Sequence, residues 1–155
     1  MKRTVGMFVI GILMGFSAMA QDTFTDEELT KYATVMKWAE DEKAKMGAEV
    51  SEAVKANEAL SGTAFNKLRK AQKAGDVNST DATAEEVAAF MEIHNQTETR
   101  KAEFTEVYKE KIKSNIGAGL YNRLRKALKS DEEVKTRYQA ILDGLSEEST
   151  DESED

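Results

Sequence analysis

Apolar residues recur at alternating spacings of three and four along the first part of the chain. They begin at Leu29 and continue to Leu60, and the positions between them are mostly charged or alanine. This spacing places the apolar side chains on one face of an α-helix, in a coiled-coil-like stripe. Two polar residues, Lys43 and Asn57, interrupt the stripe. The pattern therefore predicts a helix of about 30 residues, or about 45 Å, which ends near Gly62.

Three short segments indicate where helices begin. Each has the sequence of a capping box, in which the first side chain accepts a hydrogen bond from the third helical N–H and a glutamate reaches back to the N–H of the cap. The segments are Thr25-Asp26-Glu27-Glu28, Thr83-Ala84-Glu85-Glu86 and Ser130-Asp131-Glu132-Glu133. They predict helices that start directly after Thr25, Thr83 and Ser130.

The second half of the chain repeats the first. At an offset of 58 residues, identical residues recur at many positions, among them Thr25 and Thr83, Glu40 and Glu98, Lys43 and Lys101, and Asn57 and Asn115. The phrase FNKLRKAQK, from Phe65, returns 56 residues later as YNRLRKALK, from Tyr121. We predict a tandem duplication with copies at 24–76 and 82–130, each made of a long helix, a glycine-containing break and a short basic helix. Chance matching in a helix-rich composition is the alternative.

The remaining pattern predicts one more helix and no strand. An apolar stripe over 131–145 indicates a terminal helix, and no segment alternates with period two over the length of a strand. The predicted fold class is all-α: an antiparallel hairpin of two long helices, two short helices and a C-terminal helix. The facing stripes of the long helices should form the core, with Leu29, Tyr32, Met36, Met46, Val50, Val87, Phe90, Phe104, Tyr108 and Ile112. Trp38 lies off the stripe and is expected to pack under a short helix, with an exposed contact for a partner as the alternative.

The first twenty residues have the layout of a secretory signal peptide. A basic start at Lys2 and Arg3 precedes an apolar run over residues 5–16, and small residues flank the end of the segment at Ala18 and Ala20. We predict cleavage after Ala20 and a periplasmic or secreted protein. An uncleaved membrane anchor is the alternative, although the apolar run is shorter than the roughly 20 residues of a membrane span.

The last ten residues, SEESTDESED, are acidic and contain no apolar side chain. We expect residues 146–155 to be a disordered acidic tail and residues 21–145 to be one helical domain. The chain contains no cysteine, so disulfide bonds do not contribute to its stability. Its formal net charge of −7 makes nucleic acid a poor partner.

The composition offers little for catalysis. The chain has one histidine, His94, which we expect to be a packed or edge residue of the second long helix. Residue 91 is methionine, so the Glu-x-x-His motif of di-metal helix bundles is absent. No zinc spacing or phosphate-binding glycine loop occurs. We therefore assign no catalytic residue, metal or cofactor.

The short helices carry the best candidate binding residues, namely Arg69, Lys70, Arg125 and Lys126. They are expected to lie at equivalent sites, at opposite ends of the hairpin, where they could hold an anionic lipid surface or an acidic envelope protein. The alternative is that they are solvated helix faces. Three functions stay open: a non-enzymatic interaction or chaperone-like module of the cell envelope, a carboxylate-dependent hydrolase, and an anionic-surface-binding protein. A cleft with two converging acids would favour the hydrolase, and a shallow charged groove would favour a binding protein.

The segment GLYNRLRKALKSDEEVKTRYQAIL, together with the start from Phe24 to Leu29, resembles a family of bacterial exported helical domains of unknown function, number four-one-six-eight in the usual naming. The similar features are the tyrosine-asparagine start, the Ser/Asp break and the last amphipathic helix. The family usually has Gln-Asp-Pro-Glu-Leu near this break, whereas this chain has Ser130 and Asp131 and no proline there. The resemblance implies an exported helical domain and no particular activity.

Overall fold

A computed structural model of the chain describes residues 23–77 and 80–151. Its helices are α1 (Asp26–Ala56), α2 (Gly62–Ala74), α3 (Ala84–Lys111), α4 (Ala118–Ser130) and α5 (Glu132–Asp151), with a π-helical turn at Ile112–Ile116 between α3 and α4. No strand occurs within the described ranges, so the predicted all-α class is confirmed. The predicted signal peptide and residues 152–155 lie outside the described residues. None of the helices described is long and apolar enough to cross a membrane.

Two of the three predicted capping boxes are present. The Thr25 hydroxyl accepts from the Glu28 N–H, and the Glu28 carboxylate accepts from the Thr25 N–H at 2.9 Å. Thr83 and Glu86 form the same pair of bonds at the start of α3. Each box satisfies N–H groups that the first turn of a helix leaves without a partner.

The third cap lies one residue later than predicted. Helix α4 extends through Ser130, and the Asp131 carboxylate, rather than Ser130, accepts from the N–H groups of Glu133 and Val134 at 3.0 and 3.1 Å. The Ser130 hydroxyl instead donates to the carbonyl of Lys126 within α4. A single residue therefore ends one helix and starts the next.

The long helices α1 and α3 form the predicted antiparallel hairpin. The Tyr108 hydroxyl lies 3.5 Å from the Met36 sulfur, and further along α1 the Glu42 carboxylate accepts from Arg100 at 2.9 Å. Residues with higher numbers in α1 therefore contact residues with lower numbers in α3, so the two helices are antiparallel. Trp38 stacks on Phe104 of α3, with ring centroids 5.7 Å apart. The expectation that Trp38 packs under a short helix was wrong, because its ring points across the hairpin.

The core consists of two separate clusters, one at each end of the hairpin. The first cluster joins α1, the π-helical turn, α4 and α5 through Phe24, Leu29, Tyr32, Val35, Ile116, Leu124 and Val134. The second cluster joins the other end of α1 with α2 and α3 through Val54, Leu60, Leu68, Ala89, Phe90 and Ile93. The short helices therefore decide where the core lies, because each covers one end of the hairpin.

The predicted core was correct only in part. Leu29, Tyr32 and Phe90 are buried, whereas the other seven predicted residues are half-buried: Met36, Met46, Val50, Val87, Phe104, Tyr108 and Ile112. In the middle of the hairpin the two stripes meet only each other, because α2 packs in the second cluster and α4 and α5 pack in the first.

Equivalent ring contacts occur at the two ends of the hairpin. Phe65 of α2 packs on Phe90 of α3 at 5.5 Å, and Tyr121 of α4 packs on Tyr32 of α1 at 5.6 Å. These are the pairings that the predicted offsets relate to each other. Across the middle, Glu42 and Arg100 are 58 positions apart and contact each other directly. The contacts agree with a duplicated unit, and the duplication itself stays a prediction.

The connections that follow the two long helices differ. After α1, the side chain of the C-cap residue Asn57 accepts from the Ala59 N–H, and a short loop leads to the Ser61 cap of α2. After α3, the π-helical turn leads directly to Gly117, which adopts φ +82° at the start of α4. The connection from Asn115 to Tyr121 is two residues shorter than that from Asn57 to Phe65, which is the change of offset from 58 to 56 residues.

The terminal helix α5 lies against α1 and α4 in the first cluster. The Tyr138 ring packs edge-on against Tyr32, with centroids 5.7 Å apart. The Arg137 guanidinium pairs with the Asp26 carboxylate and donates to the Phe24 carbonyl at 2.8 Å. The helix continues to Asp151, beyond the predicted end at residue 145, since no glycine or proline after that position interrupts it.

Candidate binding groove

A groove of about 450 Å³ opens at the α2 end of the hairpin, between α1, α2 and α3. It is lined by Lys43, Met46, Gly47 and Val50 of α1, by Phe65, Arg69, Gln72 and Lys73 of α2, and by Phe90, His94, Thr97, Glu98 and Lys101 of α3. The groove forms because α2 covers the end of the hairpin but not its middle. Its volume lies within the range of ordinary ligand sites.

The floor of the groove is aromatic. Phe90 is 1% exposed, because Phe65 packs against it on one side and His94 stacks on it with ring centroids 5.7 Å apart and planes inclined by 8°. Phe65 and His94 are themselves half-buried, as are Met46 and Val50. A ligand in the groove would therefore contact these four side chains rather than Phe90 itself.

The rim of the groove is cationic. Lys43, Arg69, Lys73 and Lys101 all line it and are exposed, and Glu98 is its one carboxylate. Lys101 donates to Glu98 at 2.7 Å, and this bond holds the pKa of the Glu98 carboxyl below its usual value. The guanidinium of Arg69 lies 6.0 Å from the centroid of the Phe65 ring. The groove thus combines apolar rings with an excess of positive charge.

A smaller pocket of about 220 Å³ adjoins the groove and shares Met46, Val50 and Thr97 with it. Its cation, Arg100, is surrounded by acids: Glu42 at 2.9 Å, Glu49 at 3.7 Å and Glu103 at 4.0 Å. The charge of Arg100 is therefore balanced within the protein. This contrast makes the groove, and not the smaller pocket, the better candidate for an anionic ligand.

Of the four predicted binding residues, only Arg69 lines the groove. Lys70, its neighbour on α2, is exposed outside the lining. Arg125 and Lys126 lie on α4, at the opposite end of the hairpin, and are exposed. The positive charge of Arg125 acts on Tyr32 and Tyr108, but burial dominates and raises the pKa of both phenols.

Sequence reasoning missed most of the groove. Lys43 and Lys101 were identified only as interruptions of the apolar stripes, and His94 only as a packed or edge histidine. The recurrence of a lysine at the same stripe position in both long helices was the signal that could have found the site. A charged residue within an apolar stripe indicates a segment that no other helix covers, and both lysines lie in such a segment.

The groove contains little that could catalyse a reaction. It holds one carboxylate, Glu98, and one imidazole, His94. Across residues 23–77 and 80–151, no three side chains of the His, Cys, Asp or Glu type are grouped so that they could hold a metal ion. The geometry of a carboxylate-pair hydrolase, in which two acids flank a substrate, is therefore absent from this groove.

No protein family model, no curated protein and no solved structure matches this chain. The resemblance to exported helical domains therefore stays a prediction.

Proposed function

We propose that this protein is a non-enzymatic interaction module that binds acidic segments of polypeptides in the groove, in the exported compartment that its N-terminal sequence predicts. The observation that carries the proposal is the aromatic floor beneath four cations and a single acid. Apolar surface supplies binding energy when a ligand covers it, and fixed positive charges select and orient anionic groups.

A polypeptide fits this site better than a membrane surface does. The cations lie on the rim of a concave groove between three helices, and the rings lie at its base. A planar array of lipid head groups would contact only the rim, whereas a chain of amino acids can place carboxylates on the rim and side chains on the floor. The second basic patch, at Arg125 and Lys126, lines neither this groove nor the smaller pocket and is not part of the proposed site.

The first test is binding of poly-L-glutamate, measured by fluorescence anisotropy at low and at physiological salt. Wild-type protein should bind, and its affinity should fall as salt rises, because exposed charges are screened beyond about 8 Å at physiological ionic strength. The triple variant Arg69→Glu, Lys73→Glu, Lys101→Glu should bind at least about tenfold more weakly, because it replaces attraction by repulsion.

A matched control reverses three exposed lysines outside the groove: Lys113→Glu, Lys126→Glu and Lys129→Glu. It changes the net charge by the same amount and should keep most of the affinity. Circular dichroism of both variants checks that the helices are intact. Equal loss in the two variants would reduce the effect to net charge and contradict the proposal. Anionic phospholipid vesicles form a separate arm, and binding to vesicles but not to poly-L-glutamate would point to a membrane surface instead.

A further inference from the structure

The structure contains one example of a helix seated on the hairpin beside a short helix. At the first cluster, α5 lies against α1 and α4, and Tyr138 packs on Tyr32. Burial, and next the nearby Glu40 carboxylate, raises the pKa of the Tyr138 phenol. This face of α1, beside α4, is the seat of α5.

The groove corresponds to that seat at the other end of the hairpin. At the predicted offset of 58 residues, Tyr32, Met36 and Glu40 of α1 correspond to Phe90, His94 and Glu98 of α3, and all three of the latter line the groove. The short helices agree, because Tyr121 and Phe65 make equivalent ring contacts. Within the described ranges, no helix covers the groove in the way that α5 covers its seat.

We propose that the groove receives an acidic amphipathic helix of a partner protein, seated beside α2 much as α5 is seated beside α4. This inference rests on the proposed function and adds the conformation of the bound segment and the residue that anchors it. The anchor is an aromatic side chain on the apolar face of the helix, in the role that Tyr138 has in α5.

The chemistry of the groove matches such a helix in two respects. An aromatic ring laid on the floor would contact Phe65 and His94, which are both half-buried, with Met46 and Val50 beside them. Acidic residues flanking the anchor would meet the cations of the rim. An amphipathic helix in a groove places its anchors at spacings of three and four, and a groove between helices can accept them on one side.

The charge pattern distinguishes a partner helix from α5 itself. In its own seat, α5 is held by Arg137, which pairs with Asp26. The residue that corresponds to Asp26 at the groove end is Ala84, so an arginine there would find no equivalent carboxylate. The rim instead offers Arg69, Lys73 and Lys43. The groove therefore favours a helix with acids, and not a basic residue, near its anchor.

The test uses a labelled peptide of residues 132–151 of this chain that carries Lys135→Glu and Arg137→Glu, because these changes leave acids, and no basic residue, beside the Tyr138 anchor. Its affinity for the full-length protein is measured by fluorescence anisotropy. One altered peptide carries Tyr138→Ala and Ile141→Ala, and another carries Ala140→Pro, which breaks a helix. Both keep the charge of the parent peptide. Each should bind at least about tenfold more weakly than the parent.

Two results would overturn the inference. Equal affinity of all three peptides would mean that the groove recognises charge alone. This result would agree with the proposed function but contradict the inference that the bound segment is a helix. Undiminished binding of the parent peptide to the Arg69→Glu, Lys73→Glu, Lys101→Glu variant would place it outside the groove, for example in the seat of α5. Light scattering of the protein alone tests a second copy as the occupant, and a dimer that this variant abolishes would replace the partner helix by self-association.

Discussion

At the scale of single residues, Tyr32 shows how one side chain contributes to the first cluster. Its ring packs against Tyr121 of α4 and Tyr138 of α5, so that one side chain of α1 joins three helices. Burial, followed by the proximity of Tyr121 and Tyr138, raises the pKa of the Tyr32 phenol to about 12 from a usual value of 10.0. The folded protein therefore holds this proton more tightly than the unfolded chain does.

This shift predicts a loss of stability at high pH. Below pH 10 the phenol is protonated in both states, so its contribution to the free energy of unfolding is fully present. As the pH rises from 10 toward 12, the unfolded chain releases the proton first, and the free energy of unfolding falls. Urea unfolding at a series of pH values should show a steeper fall for wild type than for Tyr32→Phe. Lysines titrate in both proteins, so parallel curves would contradict the assignment.

The sequence predicted some of the buried residues correctly, but it did not predict which helices would surround each residue. The stripe correctly selected Leu29, Tyr32 and Phe90, which are buried. It could not show that Leu68 and Leu124 would each be 0% exposed, since their burial depends on how the short helices dock. It also could not show that Lys43 and Lys101 would line one groove, because that requires the position of α2.

At the scale of elements, the caps explain where the helices begin. The two threonine capping boxes could be predicted because a threonine followed three residues later by a glutamate is a specific signature of a helix N-terminus. The third was misplaced by one residue because Ser130 fits equally well as the last residue of α4, where its hydroxyl bonds to the Lys126 carbonyl. Local sequence allowed both registers, and the structure has the register in which Asp131 caps α5.

The two registers differ in a measurable way. Asp131→Ala should lower the free energy of unfolding by about 1 kcal/mol, because it leaves the N–H groups of Glu133 and Val134 without their carboxylate acceptor. Ser130→Ala should change it by only a few tenths of a kcal/mol, and Asp131→Asn should keep most of the cap. Chemical denaturation of the three variants measures the differences. A larger effect of Ser130→Ala than of Asp131→Ala would restore the predicted register.

At the scale of the whole molecule, stability is distributed between two clusters that share no buried residue. The hairpin connects them through half-buried side chains and through exposed or partly exposed ion pairs such as Glu42 with Arg100. Exposed ion pairs contribute little to stability. The architecture of helices was predictable from periodicity, whereas the division of the core was not, since a stripe of even spacing does not show which part of it a third helix will cover.

The division predicts that each end can open separately. Leu68→Ala should raise hydrogen exchange in α2 and in the adjoining ends of α1 and α3 more than in α4 and α5, because it leaves a cavity in the second cluster alone. Leu124→Ala, at the equivalent buried position of α4, should have the opposite distribution. Mass spectrometry of deuterated peptides measures both. A uniform increase along the chain in both variants would show that the clusters unfold as one unit.

The contact between Glu42 and Arg100 has a consequence for ancestry. If the two halves descend from one ancestral unit, Glu42 and Arg100 descend from the same position of that unit. This position would have contacted the same position in a second copy of the unit. Two identical chains assembled about that position would have met there with the same residue, and two like charges would have repelled each other. Opposite charges would have become available only after the position was encoded twice, so that each copy could mutate alone. The ion pair would then be younger than the duplication.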